Sequence, residues 1–178
     1  QITYNGNGWV TRTARKFGSF WMVSCSDYSA SGQVTASYGP YKVSTATDCS
    51  FSGNTAVPNL SYGYDGADRL ITTTVAEPSG NRVTKIGLFP DSLVQTRTIA
   101  FGTAVAATET TAYSNNGLPT TVTDARGNIS GMTYDGFDRL NLMKYPFAAG
   151  GGPSATDIVA FAYDKRSAPT KRSIRGTS

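Results

Sequence analysis

Two stretches decide the reading of this chain: Tyr64-Asp65-Gly66-Ala67-Asp68-Arg69-Leu70 and Tyr134-Asp135-Gly136-Phe137-Asp138-Arg139-Leu140. They share five of their side chains at identical spacing, apart from the glycine between them. The pattern is an aromatic residue, three turn-like residues, a small or acidic residue, any residue, and then Leu, Val or Pro. Each part has a physical role. The tyrosine ends one strand and packs its ring on the preceding hairpin, with its hydroxyl directed to solvent or to a backbone carbonyl. Asp65 and Asp135 accept hydrogen bonds from N–H groups two residues on, as an Asx turn. Gly66 and Gly136 supply the turn conformation. Arg69 and Arg139 open the return strand, within reach of Asp65 or Asp68 and of Asp135 or Asp138. Leu70 and Leu140 then point to the buried face.

Looser copies extend the pattern in both directions. Tyr4-Asn5-Gly6-Asn7-Gly8-Trp9-Val10 and Tyr28-Ser29-Ala30-Ser31-Gly32-Gln33-Val34 precede it. Tyr113-Ser114-Asn115-Asn116-Gly117-Leu118-Pro119 and Tyr163-Asp164-Lys165-Arg166-Ser167-Ala168-Pro169 follow. A further copy is due midway between Tyr64 and Tyr113, where Phe89-Pro90-Asp91-Ser92-Leu93-Val94 stands. From Tyr64 onward the copies lie roughly 20 to 30 residues apart, a span that holds two strands and two turns. One hairpin cannot bury its apolar face alone, so neighbours must stack.

The segments between the turns read as strands. Arg69–Val75, Arg82–Ile86, Leu93–Ile99 and Ile158–Tyr163 alternate apolar and polar residues and are rich in Thr, Val and Ile, which fit a pleated surface and crowd a helix. No window combines good helix formers with a 3.6-residue apolar period. Alanine-rich Thr103–Ala107 is the nearest candidate, and Thr108, Thr110 and Thr111 follow at once. The predicted fold is therefore all-β: consecutive β-hairpin repeats stacked into an extended or spiralling antiparallel sheet. The chain reads as a single repetitive domain over 1–178. Within it, 1–59 carry degenerate repeats, 60–170 the clearer ones, and 171–178 a basic tail.

These residues resemble the RHS or YD repeats. That family's repeat runs Tyr-Asp, two residues, Gly-Arg-Leu, often with an Asp-x-x-Gly-Asn stretch between copies, as at Asp124-Ala125-Arg126-Gly127-Asn128. The resemblance is strongest over about residues 60–145. Asp68 and Asp138 stand where the family usually has Gly, which puts the local turn geometry in question. The resemblance implies strands wound into a long spiral sheet that can close as a shell. Bacterial members are secreted toxins whose shell encloses a C-terminal toxic domain, and others sit on cell surfaces, some with proposed carbohydrate binding. No Asp-Pro-rich self-cleavage segment and no separate C-terminal domain is found in this sequence.

Composition narrows the function. The chain has 178 residues and no histidine, which removes Ser-His-Asp and Cys-His catalysis and His-ligated zinc. Charged residues make up 16%, too few for a disordered chain of this hydrophobic content. Net charge is +4, with a pI of about 9.1. The basic residues scatter, except for Arg12, Arg15 and Lys16 near the start and Lys165, Arg166, Lys171, Arg172 and Arg175 near the end. Such charges guard strand edges against aggregation, and nucleic acid is not an expected partner. No segment approaches the ~18 apolar residues of a membrane helix. The first residue is Gln1, so either a leader has been removed or the sequence is an internal piece. Cys25 and Cys49 are either a disulfide or two buried thiols.

Paired carboxylates at Asp65 with Asp68, and Asp135 with Asp138, are the candidate catalytic groups, since glycosidases use two carboxyls some 5 to 9.5 Å apart. Repetition at the same place in each unit favours turn building over catalysis or calcium binding. No phosphate loop, nucleophile elbow or CxxC occurs. Trp9, Phe17, Phe20, Trp21 and Tyr28 are the footing for a glycan-binding alternative, although Phe20-Trp21-Met22-Val23 reads more simply as a buried strand. The expectation is a non-enzymatic scaffold, without cofactor or metal, that is secreted or at the cell surface. It would associate with itself or with further repeats as part of a shell or filament.

Overall fold

A computed structural model describes residues 1–46, 49, 59–147 and 151–175. There is no helix among them. The strands are β1 (Ile2–Tyr4), β2 (Val10–Phe17), β3 (Phe20–Tyr28), β4 (Val34–Val43), β5 (Leu60–Tyr64), β6 (Leu70–Val75) and β7 (Arg82–Leu88), then β8 (Val94–Ile99), β9 (Ala107–Tyr113), β10 (Pro119–Thr123), β11 (Ile129–Tyr134), β12 (Leu140–Pro146), β13 (Pro153–Tyr163) and β14 (Pro169–Arg175). Their order in the antiparallel sheet is their order in the chain. The fold is thus all-β with consecutive hairpins, as the turn spacing predicts. β14 begins before Lys171, so Lys171 and Arg172 belong to a strand.

The chain divides into two compact units. One contains Gln1–Ile86 with Ile99–Ala106, the other Gly87–Thr98 with Ala107–Ser178. In the first, Ala14, Val23, Cys25 and Ala46 form the core, with Trp21, Tyr38 and Val43 packed on it. They cluster because Ala14 faces Val23 and Arg12 faces Cys25 across β2 and β3, putting alternate residues on one face. Val23 is fully buried, which agrees with the strand reading of Phe20–Val23. In the second unit, Val159 of β13 is buried between Met143 of β12 and Ile174 of β14 in the ladder. Ser154 is buried there too, and its hydroxyl accepts from the N–H groups of Thr156 and Asp157.

The motif hairpins share a register that the sequence pattern does not reveal. Tyr64 pairs with Leu70, but Gly63 pairs with Thr72, so Ile71 is an extra residue on the return strand. The same bulge leaves Thr11, Thr35, Thr120, Asn141 and Thr170 as the extra residues in the other motif hairpins. A bulge strengthens the local twist and re-aims the side chains beyond it. It also explains why Leu70 is 38% exposed rather than facing the core.

Close approaches require glycine at a few positions. Gly39 has φ +87, and a Cβ there would lie 2.5 Å from the Val23 carbonyl oxygen. Gly131 lies against the Pro153 ring, where a Cβ would stand 3.0 Å away.

Candidate functional site

The recurring turns are the candidate site, and their geometry is clearest at Asp65. The Asp65 N–H donates to the Arg69 carbonyl (2.9 Å), and the Asp68 N–H donates to the Asp65 carbonyl (3.0 Å). This is a type I turn followed by a left-handed residue, a standard closure of three-residue hairpin loops. The same pair of backbone bonds closes the turns at Asn5, Ser29, Phe89, Ser114, Asp124, Asp135 and Asp164.

Counting the tyrosine as position one, the left-handed residue is position five. It is Gly8, Gly32 and Gly117 in three turns, Asp68, Ser92, Asp138 and Ser167 in four others. Asp68 (φ 61) and Asp138 (φ 60) adopt the conformation of the glycine they replace. Gly66 and Gly136 are not at positive φ, so the conformational role expected of them belongs to Asp68 and Asp138. Asp tolerates the left-handed region better than most residues because its short side chain bonds locally.

Position two holds the turn together. The Asp65 Oδ1 accepts from the N–H groups of Ala67 (2.9 Å) and Arg69 (3.0 Å). Its Oδ2 accepts from Arg69 Nε (2.8 Å) and Nη2 (2.7 Å). Asp135 repeats this with the N–H groups of Phe137 and Arg139 and with both Nε and Nη2 of Arg139 (2.7 Å each). Of the alternatives open in the sequence, the arginine therefore pairs with position two. Asp124 and Asp164 accept the equivalent backbone bonds. Hydrogen bonding from Arg69, Arg139 and the Asn128 side chain holds the Asp65, Asp135 and Asp124 carboxyls below the ordinary carboxylate value. A general acid needs the opposite shift, and oxygens occupied by four donors are poor cation ligands.

The Asp124 turn shows that the Asp-x-x-Gly-Asn stretch is the same turn closing β10 and β11. The copy at Phe89 is displaced by one residue from the expected alignment. Phe89 makes the position-two backbone bonds, so position one is Leu88 and the left-handed residue is Ser92. Phe89 lacks a side-chain acceptor, and Asp91 instead caps the Leu93 N–H at 3.2 Å. The aromatic ring at residue 89 misleads the pattern search, whereas the Gly/Ser/Asp identity of position five would have placed the copy.

Successive turns are joined by a tyrosine ladder. The position-one hydroxyl donates to the position-seven carbonyl of the preceding turn. In the first unit, Tyr28 donates to Val10 (2.7 Å) and Tyr64 to Val34 (2.8 Å). In the second, Tyr113 donates to Val94 (2.9 Å), Tyr134 to Pro119 (2.8 Å) and Tyr163 to Leu140 (2.9 Å). Leu88, at position one of its copy, has no hydroxyl to donate. Burial pushes the Tyr134 phenol up, keeping it a donor.

Side-chain links between turns add to the ladder. Asn116 Nδ2 donates to Asp138 Oδ1 (2.9 Å), and Ser31 Oγ lies 3.5 Å from Asp68 Oδ1. Arg139 Nη1 donates to the Asp164 carbonyl (3.1 Å) and the Ser167 hydroxyl (3.3 Å), while its guanidinium lies over the Tyr163 ring.

Clefts between turns hold the remaining exposed aromatics. One of about 290 Å³ is lined by Phe137, Arg139, Tyr163, Asp164, Lys165 and Ser167. The aromatic residues singled out near the start do not converge on one groove. Trp9 packs on Tyr28 and Gly32, Phe17 stacks on Phe20, and Trp21 joins the core. The Cys25 and Cys49 sulfurs are bonded, with Cα atoms 6.1 Å apart, and tie the connection after β4 to β3. Beside them Tyr38 donates to Asp27 (2.8 Å), a bond that raises the Tyr38 phenol.

Residues 113–149 match the family described as RHS Repeat. That span starts at Tyr113 and contains the Asp124 and Asp135 turns, so this stretch of the chain is an RHS repeat. No curated protein matches the sequence. Among solved structures, TcdB2-TccC3 without its hypervariable C-terminal region is similar over 92% of this chain, at 15% identity and a TM-score of 0.64. The TcdB2-TccC3-Cdc42 crystal structure is similar over 94%, at 13% identity and a TM-score of 0.63. At these identities the likeness is one of fold. The chain spans 8% and 9% of those two chains.

Proposed function

We propose that the chain is a stretch of structural scaffold, a segment of a wall built from consecutive YD hairpins, and that it works without catalysis. The observation that carries this is the tyrosine ladder. The most regular chemistry in the molecule is spent on joining each turn to the one before it. The candidate carboxylates are ionised and engaged by their own turns. The strand order and the RHS repeat at residues 113–149 support the reading. Its two outer strands, β1 and β14, accept further repeats in this account. A protein exported to the cell surface or beyond accords with the Cys25–Cys49 bond, since disulfides persist in oxidising compartments.

The test is graded extension. Copies of residues 107–146, two hairpins with their turns, are added in register after β14 and urea denaturation is followed. A scaffold gains stability with each copy, because neighbouring interfaces dominate the stability of repeat arrays. A self-sufficient binding module would show an unchanged midpoint.

A further inference from the structure

The turns carry a pairing rule beyond the ladder. Position four of one turn faces position five of the next. Both turns with Asp at position five follow a turn with a polar donor at position four: Ser31 before Asp68 and Asn116 before Asp138. Where position five is Gly32 or Gly117, the preceding turn instead packs an apolar side chain on it, Trp9 or Leu93. The acid at position five is thus matched to a donor on its neighbour.

The last turn, Tyr163–Pro169, has Arg166 at position four. Its backbone matches the others: the Asp164 N–H donates to the Ala168 carbonyl (2.9 Å), the Ser167 N–H to the Asp164 carbonyl (3.1 Å), and Ser167 has φ 63. Arg166 therefore leaves the turn in the direction taken by Ser31 and Asn116. It is exposed, and its guanidinium has no partner among the described residues. Pro169, at position seven, offers a carbonyl like those that accept a tyrosine hydroxyl in the earlier turns. Lys171 and Arg172 continue the positive charge along β14.

From this we infer that the outer edge of β14 is built to receive a YD hairpin carrying an acidic residue at position five of its turn, held by Arg166 and by a tyrosine hydroxyl on the Pro169 carbonyl. This rests on the scaffold reading and specifies the partner. The occupant is a Tyr-Asp-x-x-Asp hairpin rather than a second copy of this chain joined through its first turn. That first turn has a free Tyr4, 56% exposed, but Gly8 at position five, which leaves Arg166 without its acid.

The experiment appends one copy of residues 124–146 in register after β14 of the full chain. Four versions form a double-mutant cycle: Arg166 or Arg166→Ala, each with the copied Asp138 intact or changed to Gly. Hydrogen exchange of β14 amides reads docking in each. With the intact copy, Arg166→Ala is expected to lower β14 protection about two- to fivefold, the range of an exposed ion pair, and the effect should shrink in 1 M salt. With the Asp138→Gly copy, and in the unextended chain, Arg166→Ala should change nothing. Docking with equal loss in both copies would overturn the pairing rule while leaving the scaffold reading in place. An intact copy that fails to protect β14 at all would overturn both. Concentration-dependent self-association of the unextended chain, abolished by Tyr4→Phe, would show that a second copy is the occupant and also overturn the rule.

Discussion

A tyrosine hydroxyl bound to a carbonyl of the preceding turn contributes at one defined atom, which makes it separable from the ring's packing. Tyr134→Phe keeps the ring and leaves the Pro119 carbonyl without its donor, so it should destabilise by about 1 kcal/mol in urea denaturation. Tyr4→Phe, whose hydroxyl has no partner among the described residues, should leave the midpoint unchanged. The position-two carboxylates make a different prediction. Asp135→Asn preserves an acceptor for the Phe137 and Arg139 N–H groups, as Asn5 does in its own turn. It should cost less thermal stability than Asp135→Ala, which loses both backbone bonds and the ion pair. Asp65, Asp124 and Asp135 all have lowered folded-state values. Between the folded value and the ordinary value near 4, the unfolded chain binds more protons, so stability rises with pH there. The contribution is complete above that ordinary value and is lost as pH falls through the lowered ones. Thermal midpoints measured on descending pH should fall below about pH 4, and less steeply in a chain carrying Asp65→Asn and Asp135→Asn.

Elements were legible in the sequence to the extent that their chemistry is local. β6, β7, β8 and the end of β13 follow from alternation and β-branched residues, and the turns follow from Asn, Asp and Gly. What the sequence hid is what depends on pairing. The bulge opposite Gly63 belongs to two strands at once, and no property of Ile71 alone announces it. The displaced copy at Leu88 hid because an aromatic ring at residue 89 imitates position one. Asp68 looked like a departure from the repeat, yet it adopts the backbone of the glycine it replaces and reaches toward Ser31. The arginine partner was a choice between two aspartates that only the turn's three-dimensional closure settles. Two element-scale predictions follow from close contacts. Gly39→Ala places a methyl against the Val23 carbonyl at positive φ, so it should destabilise by at least about 1 kcal/mol in urea. Reducing the Cys25–Cys49 bond releases the connection after β4, and Cys25→Ser with Cys49→Ser should cost about 3 kcal/mol on the loop-entropy account.

At the scale of the molecule, the chemistry is repetitive rather than convergent. A catalytic or ligand-binding protein concentrates its unusual groups in one pocket. Here the ionised aspartates, left-handed residues and bonded tyrosines recur once per turn, and the buried side chains are few for the length of sheet. A sheet built this way draws stability from neighbours on both sides of each hairpin, and its outermost hairpins are the least supported. The most direct test of that claim is hydrogen exchange of the β14 amides in the chain extended by residues 107–146, compared with the unextended chain. The account predicts that β14 gains protection approaching that of β12, a strand with neighbours on both sides. β14 amides exchanging at the same rate in both chains would contradict it.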